Sequence, residues 1–324
     1  MDIRDRRGLQ SAARSSLNAA SFSPKYIIAL HAGLIALLSA VLLLLDFLLE
    51  QQIGNTGGLS GIGRRSMLET AQSFLRMIQS VALPFWSMGY LFATLQWAKK
   101  SPVQPMTLLE GFRRFGAVLR LELLQILLYS LIAVLCSYAA AILFFMTPWA
   151  KPFMDTIMPQ LTEAADAQAI QAILLSAGNS VLIPIFVIFG VIFAAISIPI
   201  FYRFRMAAYV LMDTPGTGAF AALRSSVRLM RGNCLALVRL DLHFWWFYLL
   251  DILVSALCYG DLILSGLGIP LPVSAEVGYF LFVLLSLGAQ LALYIWKRND
   301  VFVTYAHAYY ALKPTLPTPD RRVI

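Results

Sequence analysis

Six stretches of twenty or more residues run through this chain almost free of charge: 26–49, 74–97, 117–146, 180–202, 242–264 and 277–296. At about 1.5 Å per helical residue, each is long enough to cross roughly 30 Å of hydrocarbon. A backbone in lipid must bond to itself, which a helix does and an open strand does not. The chain therefore reads as all-α: a polytopic transmembrane helix bundle of about six spans. Pro84, Pro184 and Pro199 fall inside spans. Neighbouring helices can re-satisfy the carbonyls that they free. The first run exceeds the apolar core of a cleaved signal, about 7–15 residues, and reads as a retained helix.

Charge then fixes the expected orientation. Hydrophobic residues make up 59% and charged residues 13%, against about 25% charged in a soluble domain. The net charge of +8 would suggest nucleic acid in a soluble protein, but here the basic residues sit between the apolar runs. Of the 25 lysines and arginines, 21 fall in alternate segments: the N-terminal segment, the two loops after spans two and four, and the tail. Arg64, Arg65, Arg76 and Lys151 are the exceptions. Positive charge collects on the cytoplasmic side, so both termini are expected there. The plan is a basic segment 1–25, one transmembrane domain 26–312 and a tail 313–324.

Two inner loops read as short amphipathic helices. Thr107-Leu-Leu-Glu110 has capping-box spacing, and Leu108, Leu109, Phe112 and Phe115 follow with Arg113 and Arg114. The second begins after Thr214-Pro215-Gly216 and stops at Gly232-Asn233. It carries Phe220, Leu223, Val227 and Met230 at helical spacing, with Arg224, Arg228 and Arg231 as a basic stripe. Such helices lie among headgroups, apolar side down and arginines toward anionic phosphates. The blander alternative is charge that only sets orientation. The lipid bilayer, with anionic headgroups, is thus the expected partner. No nucleic acid is indicated, and a protein partner or homo-oligomer has no support in the sequence. Arg120-x-Glu122 and Arg239-x-Asp241 open spans three and five in similar settings, as a two-helix repeat would.

Chemistry has few places to sit. Asp251 lies near the middle of span five, with Gln290, Gln125 and His31 at similar expected depth. An ionisable group there is either a proton- or cation-binding site or a hydrogen-bonded tie between helices. Asp46 and Asp261 lie near outer ends. The three histidines are scattered, and Cys136, Cys234 and Cys258 lack C-x-x-C spacing. No phosphate-binding glycine loop or nucleophile elbow occurs. No catalytic, cofactor-binding or metal-binding residue is assigned, and no cofactor is expected. The glycine-rich stretch 57–63 reads as a flexible outer loop, and 161–175 as an outer surface helix.

One segment resembles a known family. Asp213-Thr-Pro215, Arg224-Ser-Ser226 and Met230-Arg-Gly232 carry it, with Gly111-Phe-Arg-Arg-Phe-Gly116 upstream and the tyrosine-rich 305–312 at the end. These resemble the bacterial integral membrane proteins grouped as domain of unknown function 975, over roughly residues 70–312. The family-like core is Asp213, Pro215, Met230 and Gly232. Asn233-Cys234 stands where a more basic pair is expected. The resemblance implies a bacterial plasma membrane and no particular chemistry. Three classes of function stay open: a non-enzymatic accessory or organising protein contacting lipid or a partner, a small-solute or lipid transporter with Asp251 lining its path, and an intramembrane enzyme.

Overall fold

The computed structural model describes residues 2–54, 62–163, 173, 179–266 and 275–313. The stretch 57–63, the outer helix at 161–175, the side chain of Asp46 and the tail beyond 313 fall largely or wholly outside them. Every regular element among the described residues is helical. They are α1 (Arg6–Asn18), α2 (Pro24–Gly54), α3 (Ile62–Ala98), α4 (Glu110–Arg113), α5 (Phe115–Phe145), α6 (Ala150–Pro152), α7 (Met158–Glu163) and α8 (Asn179–Phe204). There follow α9 (Ala207–Asp213), α10 (Ala219–Met230), α11 (Cys234–His243), α12 (Trp245–Ala256), α13 (Gly260–Gly266), α14 (Ala275–Leu293) and α15 (Asn299–Leu312).

Five described stretches are long and apolar enough to cross a membrane: Pro24–Leu49, Phe115–Phe145, Ile183–Asp213, Trp245–Gly266 and Val277–Leu312. This is a multi-pass membrane protein. Large apolar side chains point outward along these stretches, among them Leu127, Ile142, Phe186, Val191 and Ile252, each more than half exposed. The expected span 74–97 is present within α3 but is not one of the five. Its second half is walled in by protein: Phe85, Met88, Tyr90, Ala93, Leu95 and Trp97 are all buried. A helix shielded from lipid can carry Tyr90, Thr94 and Gln96 without exposing them to hydrocarbon. Span five is interrupted. Helix α11 ends at His243, α12 starts at Trp245, and a 3₁₀ turn Leu257–Tyr259 separates α12 from α13.

The chain forms two compact units, Met1–Leu121 with Met206–Ile324, and Glu122–Arg205. In the second, Phe144, Ala150 and Ile157 form a small core with Phe153 and Leu161. The first has the larger core, and its centre is α15. Val301, Val303, Thr304, Tyr305, Ala306, Ala308 and Tyr309 are buried there. Helix α1 packs on α15, burying Leu9 and Ala13 at i, i+4, and Ser16 Oγ meets His307 Nε2 at 3.0 Å. The two ends of the described chain are joined by this contact.

The segment 105–113 differs from expectation. A 3₁₀ turn Pro105–Leu109 precedes α4, and its N-cap is Gln104. Thr107 Oγ1 accepts from the Gln104 amide at 3.1 Å, so Thr107 is the third residue of the box and does not cap Glu110. Pro105 moves the start forward, because its fixed φ suits a first helical position. The apolar side of this segment is divided: Leu108 is 2% exposed, whereas Leu109 and Phe115 are exposed, and Phe85 of α3 stacks with Phe112 at 5.6 Å and with Phe115 at 4.6 Å. Gly89 and Gly111 allow the approach. A Cβ on Gly89 would lie 1.8 Å from the Leu108 carbonyl oxygen, and one on Gly111 2.0 Å from that of Phe85.

Candidate functional site

The family-like motif turns out to be the end of a helix and what holds it. Helix α8 is 26 residues long, about 39 Å at the helical rise, so it completes a crossing. Arg203 and Arg205 follow its apolar run, and α9 lies beyond them. Helix α9 stops because Pro215 biases Thr214 to extended backbone, at φ −115° and ψ 103°. Its last carbonyls, of Leu211 and Met212, accept from Arg114 Nη1 at 3.1 and 3.0 Å. A guanidinium at a helix C-terminus satisfies orphan acceptors and suits the dipole.

Asp213 ends α9 with its side chain fully covered. Lys99 Nζ sits 2.7 Å from Oδ1, and Tyr310 OH donates to the same oxygen at 2.8 Å. Tyr309 OH donates to Oδ2 at 3.1 Å, and Lys313 Nζ pairs with it too. Four donors from the end of α3 and from α15 thus converge on one carboxylate. The other motif residues are also structural. Met230 is fully buried, and Gly216 and Gly232 take the left-handed φ of +80° that their turns need.

A second polar group surrounds the π-turn Tyr294–Arg298 between α14 and α15. Asp251, half-buried on α12, faces the Tyr294 phenol. Gln290 Nε2 donates to that phenol at 3.1 Å and reaches Ser255 Oγ at 3.5 Å. The Arg298 guanidinium lies over the rings of Tyr294 at 4.1 Å, Phe302 at 4.9 Å and Tyr90 at 5.3 Å. His31, fully buried on α2, stacks on Tyr90 at 4.7 Å. Tyr90 OH donates to Asn299 Oδ1 at 2.8 Å, and Asn299 Nδ2 to the Pro24 carbonyl at 2.8 Å. His31, Gln290 and Asp251 are therefore linked through Tyr90, Arg298 and Tyr294, which the sequence reading missed. Positions 290, 294 and 298 at i, i+4, i+8 were the available signal. Gln125 belongs to the other unit. Both nitrogens of His31, Arg298 Nε and Asp251 Oδ1 are buried without a hydrogen-bond partner among the described residues.

Helix α10 carries the basic stripe. Arg224, Arg228 and Arg231 are exposed and make no ion pair among the described residues. The face behind them, Ala222, Leu223, Ser226, Leu229 and Met230, is buried in protein. Leu223 and Met230 thus serve the core, whereas Phe220 stands 75% exposed beside the arginines. Arg113 is also exposed, but Arg114 is occupied by protein.

Two cavities open in the first unit. One of about 570 Å³ lies between α4, the start of α5, the turn after α9 and the start of α10. The other, about 310 Å³, is lined by Ser39 and Arg76 among leucines of α2, α3 and α14. Among the described residues no three His, Cys, Asp or Glu side chains are gathered for a metal. The three cysteines are free.

A family model described as protein of unknown function (DUF975) matches residues 21–299. The chain belongs to that family. The matched stretch includes Lys99, Arg114, Asp213 and the whole of α10, and it ends where α15 begins. Tyr309, Tyr310 and Lys313, which complete the Asp213 cluster, lie past it. No protein of curated function and no solved structure matches the chain.

Proposed function

We propose that this protein is a non-enzymatic accessory or organising component of the bacterial plasma membrane whose basic end holds anionic lipid headgroups. One observation carries the reading. Helix α10 is fixed to the protein by one face and offers Arg224, Arg228, Arg231 and the exposed Phe220 on the other. Exposed arginines that make no ion pair among the described residues, next to an exposed aromatic, match the chemistry of a headgroup layer. The alternating lysine and arginine bias supports placing this end in the cytoplasm. The packing of α1 on α15 supports having both termini on one side. That arrangement requires an even number of crossings, and α3 supplies the sixth.

The test is lipid retention. The full chain, purified in a neutral detergent from cells containing phosphatidylglycerol, is compared with the R224Q/R228Q/R231Q triple variant by native mass spectrometry. Loss of most bound anionic lipid in the triple variant, with the same melting temperature, is expected. Equal retention would refute the reading.

A second reading, a transporter using Asp251, is supported by the linked polar groups from Asp251 to His31. Asp251→Asn should abolish uptake of a transported solute while leaving expression intact, and unchanged uptake would exclude the role.

A further inference from the structure

The arginine that caps α9 is held at Nε and at Nη1, and its Nη2 is open among the described residues. Arg114 Nε donates to Glu110 Oε1 at 3.2 Å, and Nη1 is spent on the Leu211 and Met212 carbonyls. Its guanidinium also lies 5.4 Å from the Phe92 ring centre. Nη2 makes no bond among the described residues. Such a guanidinium has lost its rotamer freedom already, so a ligand that meets the remaining edge pays little ordering cost.

That edge belongs to a residue lining the 570 Å³ cavity, and Arg120 lines it as well. Arg120 is exposed and makes no ion pair among the described residues. The one acid in the wall, Glu110, is already answered by two cations: Arg113 at 3.4 Å and Arg114 at 3.2 Å. The remaining wall is small and open. A Cβ at Gly116 or at Gly218 would meet no atom within 4 Å among the described residues, so the wall is open at both positions.

We propose that this cavity is a binding site for a phosphate group, carried on an anionic lipid headgroup or on a soluble phosphate compound. A planar guanidinium with a free edge and a second cation across an open space is the arrangement that phosphate recognition uses. The cavity has room for a headgroup or a small phosphoester. The unbonded amides at the start of α10, whose N-cap Gly218 offers no side-chain bond, add donors on the same wall. The lipid form rests on the reading above that this end meets headgroups. The soluble form does not.

The experiment titrates the full chain in neutral detergent at low ionic strength, by calorimetry, with two probes: dioctanoyl phosphatidylglycerol and inorganic phosphate. Saturable binding of at least one probe, one per chain, is expected. R120Q and R114Q should each weaken it about ten-fold, the worth of one charge-assisted bond, and R224Q/R228Q/R231Q should weaken it by less than R120Q does. Should R114Q melt early because α9 loses its cap, R120Q decides alone, since Arg120 makes no ion pair that its loss would break. Binding of the lipid only assigns a headgroup; binding of phosphate as well assigns the phosphate group itself. The proposal is overturned when neither probe saturates, when R120Q binds like the native chain, or when the α10 triple variant weakens binding as much as R120Q does. That last result would leave the lipid-surface reading standing without the cavity.

Discussion

Asp213 and Arg298 are both charged groups set among tyrosines, and they differ in how their neighbours answer them. Asp213 is covered completely and takes four donors on two oxygens. Arg298 is clasped by three rings, and among the described residues its Nε is buried without an acceptor, while both nitrogens of His31 and Oδ1 of Asp251 are buried without a hydrogen-bond partner. A satisfied buried network holds chain segments in one place, whereas an unsatisfied one costs free energy and needs another reason to exist. The first group therefore behaves as a fastening between α3, α9 and α15. The second is the place where the protein keeps polar capacity that its own fold does not use.

Breaking the fastening should have the largest effect. Asp213→Ala leaves Lys99 and Lys313 facing each other without their shared anion. It should cost roughly 3 kcal/mol in detergent unfolding, near the low end for a broken buried pair because both lysines keep solvent contact. A loss under about 1 kcal/mol would put Asp213 among ordinary surface pairs.

The second group should respond in the opposite direction. His31→Phe keeps the stack on Tyr90 and removes two unanswered nitrogens, so stability should rise by about 1 kcal/mol. A large loss would reveal a water or ligand partner on the ring. Smallest of all should be Asp251→Asn, within about 1 kcal/mol in the same melt, because an amide can still meet the Tyr294 phenol.

Much of this was legible in the sequence where the signal is local. The apolar runs, the alternating charge, and the start after Thr214-Pro215-Gly216 and stop at Gly232-Asn233 of one helix all came from spacing and residue type. What was hidden depends on distant residues. Lys99 and Asp213 pair across more than a hundred positions, and no periodicity announces that. Helix α1 looked like a basic arm, yet Leu9, Ala13 and Ser16 at i, i+4, i+7 carry it onto α15. The segment after span two looked interfacial because Leu108 and Phe112 are apolar on one side. Gly89 and Gly111 opened α3 to it, and protein took Leu108 from the face that lipid was expected to cover, leaving Leu109 and Phe115 exposed. On α10 the same competition divided the apolar stripe, with Leu223 and Met230 inside and Phe220 outside. In the candidate site, His31, Gln290 and Asp251 were picked out as polar residues at similar depth, but the aromatic links between them were not, since an aromatic residue in a span is ordinarily just packing.

The central claim is that the basic end, with α10, faces the cytoplasm of a membrane crossed six times. It is tested most directly by placing single cysteines in a chain whose Cys136, Cys234 and Cys258 are replaced by serine. One goes at the exposed Arg231 of α10 and one at the exposed Met146 just past α5. A membrane-impermeant maleimide applied to intact spheroplasts should label Met146→Cys and leave Arg231→Cys untouched until the membrane is opened. Labelling of Arg231→Cys in sealed spheroplasts, with Met146→Cys protected, would contradict the account.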